Sequence, residues 1–268
     1  MEGKVGIIGG GIMGRGIAQL ALQHGHSVCI IDNTANALTV AYDTIEKQLT
    51  RQTEKNKIST AEKNDCMARL SVASDITVLS DCAIVIEAII EDLAAKRAIF
   101  AKLETMVSGD CLLASNTSTL SITAIATQLR EPHRLVGIHF FNPAPLMRLV
   151  EIIRGLETAP AIIERATALA RHWQKKPVIS TSMPGFIVNR VARPFYCEAL
   201  ALLENRCATI DDIDTVLSGS GVFPMGAFSL IDLIGVDTNM RNTLSLYNAY
   251  YQEKRFRPSP IQQEYVDG

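Results

Sequence analysis

The sequence predicts an α/β fold: a doubly wound parallel sheet followed by an all-α C-terminal domain. Three observations predict it. Short β-branched runs alternate with helical stretches as far as Ser180. A glycine loop joins the first run to the first helical stretch. After Pro184-Gly185 no further β-run occurs, and the apolar spacing is helical.

The elements follow in order. Val5–Ile8 and Val28–Ile31 read as buried strands. Between them Gly14–His24 has helical spacing in Ile17, Leu20 and Ala21. Polar-faced helical stretches cover Ala35–Asn56 and Ala61–Leu70. Further strand runs are Ala83–Ile86, Cys111–Ala114, Leu135–Phe140, Val150–Ile153 and Pro177–Ser180. Beyond the change of pattern, Phe186–Asn205, Ile210–Leu217, Ser229–Ile234 and Val236–Glu253 read as helices. The expected boundary lies near Thr181–Met183, giving domains 1–182 and 183–268.

Composition narrows the class. A chain of 268 residues suits one or two domains. With 47% hydrophobic and 20% charged residues it is expected to be globular rather than disordered. A net charge of −2 argues against nucleic acid or an anionic membrane as partner. The six cysteines form no C-x-x-C pair, and several lie in apolar runs, as Cys29 does. They read as reduced, buried thiols, with no metal site. The N-terminus does not read as a signal peptide, and no apolar run of about 18 residues is present. A cytoplasmic location is the expectation.

The glycine loop carries the first chemistry. Gly9-Gly10-Gly11-Ile12-Met13-Gly14 fits G-x-G-x-x-G after a strand and before a helix. Gly9 permits the tight turn, and Gly11 lets backbone N–H groups of Ile12 and Met13 approach a pyrophosphate. Gly14 allows close helix–strand packing, and the helix N-terminus adds partial positive charge. Asp32 ends the second strand, 18 residues after Gly14. A carboxylate there accepts from a ribose 2′-hydroxyl and repels a 2′-phosphate, which favours NAD over NADP. The fingerprint is also compatible with FAD, or with a glycine turn beside an unrelated capping Asp.

A second constellation lies further on. His139 stands late in the strand run Leu135–Phe140, where open sheets bind ligands. Glu151 follows 12 residues later, at another strand start. A His–carboxylate pair beside a nicotinamide is the minimum machinery for alcohol oxidation. The imidazole takes the hydroxyl proton, and the carboxylate fixes its tautomer. The alternative is a hydrogen-bonded core histidine. Ser115-Asn116-Thr117-Ser118 follows a strand run and suits either a site or a turn. Asn189, between Val188 and Val191 on a helix, suits either a ligand contact or an interdomain one.

Together these motifs closely resemble the 3-hydroxyacyl-CoA dehydrogenase family. The resemblance runs over nearly the whole chain, in GIIGGGIMGRGIA, VIEAIIEDLAAK, SNTSTLSI, HFFNPAPLMRLVEI, PGFIVNR and FPMGAFSLIDLIG. It implies a Rossmann domain, then a helical domain that forms a homodimer interface. It implies oxidation of a 3-hydroxyacyl-CoA thioester with NAD, His139 as base and Glu151 as its partner. Ser118 and Asn189 match substrate-positioning groups. Gly9, Gly11, Gly14 and Asp32 match the dinucleotide loop and ribose acid, and Glu91, Lys96, Asn116, Ser118 and Asn142 match further cofactor contacts. Arg51, Lys55 and Lys57 lie where the family meets CoA; otherwise they are solvated helix charges. RVARPFYCEAL and LYNAYYQEKRFRPSPIQQEYVDG most resemble the phenylacetate-degradation branch, whose substrate is 3-hydroxyadipyl-CoA. Close relatives act on 3-hydroxybutyryl-CoA. Members of this length usually continue in a Gly- and Lys-rich segment that closes on the cofactor, whereas this chain stops at Val266-Asp267-Gly268. The resemblance leads to the expectation of either a truncation at the C-terminal end or a missing final cofactor contact. Rival readings are a sugar-acid dehydrogenase of the same fold and a non-catalytic NAD-binding module. Thioester dependence separates the first, and NAD binding without turnover would mark the second.

Overall fold

The computed structural model describes residues 3–268. The chain forms two compact units, one ending at Ser182 and one running from Met183 to Gly268.

In the first unit the glycine-loop segment builds a β–α–β unit from β1 (Val5–Ile8), α1 (Ile12–Gln23) and β2 (Val28–Ile31). Then come α2 (Ala35–Glu54), α3 (Thr60–Ala68), β3 (Leu70–Ala73), β4 (Ile84–Glu87), α4 (Leu93–Glu104), β5 (Leu112–Ser115) and α5 (Ile122–Ala126). The unit closes with β6 (Leu135–Phe140), β7 (Leu149–Arg154), α6 (Pro160–His172) and β8 (Lys176–Thr181). Among the described residues the strands form one eight-stranded sheet in the order β3-β2-β1-β4-β5-β6-β7-β8. The chain works outward from β1 to β3, then returns to β4 on the other side of β1. That reversal leaves a crevice at the carboxyl ends of β1 and β4, the place where open α/β sheets take ligands.

The central strands are apolar because both faces of the sheet are covered there, whereas the edge strand β8 is largely exposed. β1, β2, β4 and β5 are buried along their whole length. Ile7 and Ile30 pack with Ile17 of α1 and with Ile45 and Leu49 of α2, all fully buried. Burying each such side chain is worth roughly 1.5–3 kcal/mol. Burial also pushes the Cys82 thiol up to about 12 and the Cys111 thiol to about 11, so both stay protonated.

The sheet is parallel with one exception. β7 runs antiparallel to β6, and β8 is parallel to β7. The connection between β6 and β7 holds only residues 141–148 and no helix, whereas a parallel crossover needs a dozen residues or more. The strand β3 and the helices α4 and α6 go beyond the sequence reading. β3 is short and only partly buried. Asp92 caps α4 by accepting from the Ala95 N–H at 2.7 Å, and Pro160 opens α6.

The second unit is helical. It comprises α7 (Val188–Glu204), α8 (Ile210–Gly219), α9 (Ala227–Ile234), α10 (Val236–Ala249) and α11 (Pro260–Asp267). α11 also goes beyond the sequence reading. Tyr196 and Leu200 of α7 pack on Ile231 of α9. No helix among the described residues is long and apolar enough to cross a membrane.

Candidate active site

The short return from β6 to β7 brings His139 and Glu151 together. The antiparallel register sets them directly opposite, so their side chains leave the same face about 5 Å apart. His139 Nδ1 lies 2.7 Å from Glu151 Oε2. The residues are 6% and 1% exposed. A carboxylate only accepts, so Nδ1 carries the hydrogen and donates it. In the neutral ring Nε2 then bears the basic lone pair. The Phe141 ring packs on the imidazole with its centroid 4.5 Å away.

The polar run after β5 is fastened to its neighbours. Asn116 donates its backbone N–H to the Glu87 carbonyl at 2.8 Å and accepts from the Phe140 N–H through Oδ1 at 2.9 Å. It therefore stitches the end of β5 to that of β6, beside His139. Glu91 Oε1 accepts from the Thr117 hydroxyl at 2.5 Å, the Ser118 N–H at 2.9 Å and the Thr119 N–H at 3.0 Å. Burial opposes the charge on Glu91, but Lys96 and these donors outweigh it and hold the carboxyl below its usual range.

Behind this loop lies Glu87, which the sequence reading did not single out. It is fully buried and accepts from Lys96 Nζ at 2.6 Å, the Ile89 N–H at 2.8 Å and the Ser115 hydroxyl at 2.6 Å. Its signal was an acid ending an apolar strand. Lys96 is 1% exposed, and its ammonium lies 3.3 Å from Glu91 as well. Lys96 thus sits behind Glu91 rather than on the open wall.

The dinucleotide residues line a cavity of about 900 Å³ at the carboxyl ends of β1, β2 and β4. Gly9, Gly11, Ile12, Met13 and Asp32 all border it. A Cβ on Gly9 would lie 2.5 Å from the Ala88 carbonyl oxygen, and its φ is +105°. A Cβ on Gly14 would lie 1.8 Å from the Gly9 carbonyl, so Gly14 closes the loop instead of facing the cavity. A Cβ on Gly11 would meet nothing within 4 Å. Gly11 is also the N-cap of α1 and offers no capping side chain. Open space at bare helical N–H groups is what a pyrophosphate requires.

Asp32 Oδ2 accepts from the Gly10 N–H at 2.8 Å, and Oδ1 accepts from Thr34 N and Oγ1 at 3.0 Å each. Its partial burial opposes the charge, and these donors reverse the effect, keeping the carboxyl below its usual range. Asp32 borders the cavity, where its carboxylate can accept from a ribose hydroxyl. These residues fit NAD.

A second cavity of about 450 Å³ is bordered by Arg15, Arg51, Lys55, Lys57 and Asn142. Ile12 borders both cavities, so they adjoin along α1. Asn142, expected with the cofactor, lines this second space. Its wall is the loop from β6 to β7, gripped by Lys175. That ammonium donates to the carbonyls of Ala144 at 2.6 Å, Pro145 at 3.2 Å and Met147 at 2.9 Å. Sequence patterning carries no signal for this clamp. Asn189 stands in the first turn of α7, in the second unit.

Comparison with known proteins agrees over the length of the chain. The model for the 3-hydroxyacyl-CoA dehydrogenase NAD binding domain matches residues 4–183, and that for the family's C-terminal domain matches residues 185–268. A protein of Escherichia coli K12 named 3-hydroxyadipyl-CoA dehydrogenase is 46% identical over 98% of this chain and 56% of its own length. The 3-hydroxybutyryl-CoA dehydrogenase of Bradyrhizobium diazoefficiens is 36% identical over 98% of this chain and 90% of its own. The crystal structure of a 3-hydroxybutyryl-CoA dehydrogenase from Escherichia coli K12 superposes with a TM-score of 0.97 at 46% identity. It is covered over 57% of its length, and this chain over 100%. The chain thus spans little more than half of the Escherichia coli proteins it matches. With the family's two domain models matching residues 4–183 and 185–268, the chain belongs to the 3-hydroxyacyl-CoA dehydrogenase family, and its first unit is the family's NAD-binding domain.

Proposed function

We propose that the chain oxidises a (3S)-3-hydroxyacyl-CoA to the 3-ketoacyl-CoA, with His139 as general base and Glu151 as its partner. The observation that carries this reading is the buried His139–Glu151 hydrogen bond at the carboxyl end of the sheet. Bound NAD supplies the hydride acceptor. Nε2 of His139 takes the proton of the 3-hydroxyl as hydride leaves C3. The imidazolium so formed donates to Glu151, whose charge stabilises it. Ser118 and Asn189 are assigned, on the resemblance, to holding the substrate oxygens. Gly9, Gly11, Ile12, Met13 and Asp32 hold the dinucleotide, with Glu91, Asn116 and Ser118 toward its nicotinamide end. Arg51, Lys55 and Lys57 face one cavity, where their charges suit the phosphates of CoA.

Within this class we favour an ω-carboxylated substrate, 3-hydroxyadipyl-CoA, as in the phenylacetate branch, over 3-hydroxybutyryl-CoA. The support for this choice is the resemblance in RVARPFYCEAL, which carries Arg190 and Arg193 as candidate basic groups. We place the reaction in the cytoplasm and read the helical second unit as the surface of a homodimer. Val191, Val216 and Leu233 are each 71% exposed there.

The test is a panel of CoA thioesters, straight-chain and ω-carboxylated, followed by NADH absorbance. Turnover of 3-hydroxyadipyl-CoA at or above that of 3-hydroxybutyryl-CoA is expected. Loss of turnover on extending the acyl chain rejects the substrate choice, and no turnover with any thioester rejects the function. A fragment ending at Met183 should sediment as a monomer; a dimeric fragment would rule out the second unit as the interface.

A further inference from the structure

The group Glu87–Lys96–Glu91 holds two carboxylates at 2.6 and 3.3 Å from one buried ammonium, a net charge of −1. Its place in the sheet gives it a task. Along the carboxyl edge the order is β2, β1, β4, β5, β6. Asp32 follows β2, the glycine loop follows β1, Glu87 ends β4, Ser115 ends β5, and His139 lies in β6. Neighbouring strands are about 4.8 Å apart. A dinucleotide with its adenosine ribose at Asp32 and its pyrophosphate at the glycine loop extends past β4 toward β5. Its reactive ring must stop there to meet a substrate held at His139. Glu91 is the open member of the group, with 35% of its side chain exposed, while Glu87 and Lys96 are closed off behind it.

The two redox forms of the cofactor differ at that ring. The oxidised nicotinamide is a cation and the reduced one is neutral, while the remainder of the molecule keeps its charge. A ligand pair can be told apart only by a differential interaction, and here the difference is one positive charge. We propose that the Glu87–Lys96–Glu91 triad selects the oxidised cofactor over the reduced one, through its net negative charge at the nicotinamide end. Burial of two of its members keeps the field poorly screened by salt. The proposal rests on NAD binding by the first unit and not on the acyl substrate. Its consequence is directional: NAD⁺ is held and NADH released, which favours oxidation on the cofactor side.

The charge can be moved in both directions. Glu91→Gln keeps an oxygen to accept from Thr117, Ser118 and Thr119 and brings the group to zero. Lys96→Met takes it to −2. NADH affinity is read from its fluorescence on titration, and NAD⁺ affinity from displacement of NADH, without any acyl-CoA. The ratio Kd(NADH)/Kd(NAD⁺) should fall about tenfold in Glu91→Gln, equivalent to ~1.4 kcal/mol, and should rise in Lys96→Met. Should Lys96→Met not fold, Glu87→Gln supplies a second loss of one negative charge, with the same expected fall. Glu151 stays in every variant, so its own charge does not enter the comparison. An unchanged ratio in folded Glu91→Gln, including equal weakening of both forms, overturns the proposal. Neither result depends on turnover.

Discussion

Replacing Glu151 with Gln should lower kcat about 10- to 100-fold and leave NADH binding unchanged. The magnitude follows from the geometry. The Nδ1–Oε2 bond is 2.7 Å long, between side chains 8% and 1% exposed. A hydrogen bond to a charged group is worth about 1.5–3 kcal/mol, and each 1.4 kcal/mol of barrier is about a factor of ten in rate. Gln retains the volume and an acceptor oxygen but loses the charge that stabilises the imidazolium. His139→Gln removes the base itself and should cost about 10²–10⁴-fold. Glu151 acts only through His139, so the double variant should be no slower than His139→Gln, within about a factor of two. The assay is single-turnover NADH formation from a 3-hydroxyacyl-CoA, with NADH fluorescence titration as a control for the fold. If the two losses multiply, the residues act independently and the pair is not a functional unit. If His139→Gln turns over at the parent rate, His139 is a core histidine and the mechanism fails with it.

Other consequences are open to measurement. NADH should exceed NADPH in kcat/KM for a 3-ketoacyl-CoA, because Asp32 carries its charge into the cavity; equal values would remove Asp32 from the ribose role. Gly11→Ala should melt within about 1 °C of the parent yet bind NADH more weakly, since its Cβ meets no protein atom, whereas Gly9→Ala should lose fold stability as well. A Gly11→Ala variant with parental NADH affinity would exclude the loop from cofactor binding. Burial lowers the pKa of His24 and of His26 below 6.5. The unfolded chain therefore takes up more protons as pH falls below about 6.5, and the contribution of these two histidines is full above that value and lost beneath it. Thermal melts should fall between pH 7.5 and 5.5, and fall less in His26→Asn. A His26→Asn variant with the parental pH slope would refute the assignment.

Much of the site was legible because its spacing is local. The glycine loop, its strand and helix, and Asp32 lie within the first β–α–β unit, where 18 residues from Gly14 to Asp32 leave little freedom in placement. The alternation of strand and helix likewise follows from apolar runs and their periods. β7 was legible as a strand but not in its direction, which depends on the length of a loop that holds no helix. Glu87 and Lys175 were not legible as site residues. A buried charge is recognised by its partners, and those of Lys175 are backbone carbonyls of residues 144, 145 and 147, about 30 positions away.

The sequence by itself determined the two-part α/β then all-α organisation, the NAD fingerprint, the family, and His139 and Glu151 as candidates. Short-range periodicity carries the organisation and the fingerprint, which depend on neighbours along the chain, while the resemblance of motifs carries the family and the roles expected of His139 and Glu151. Only the tertiary structure decided that His139 and Glu151 form a hydrogen bond, through the β6–β7 register. It also decided that Lys96 lies buried behind Glu91, and that Asn142 joins Arg51, Lys55 and Lys57 at one cavity. Those facts turn on distances between segments remote in sequence. Such distances are set by strand pairing and by the need of each buried charge for a partner, which a pattern of residue types does not record.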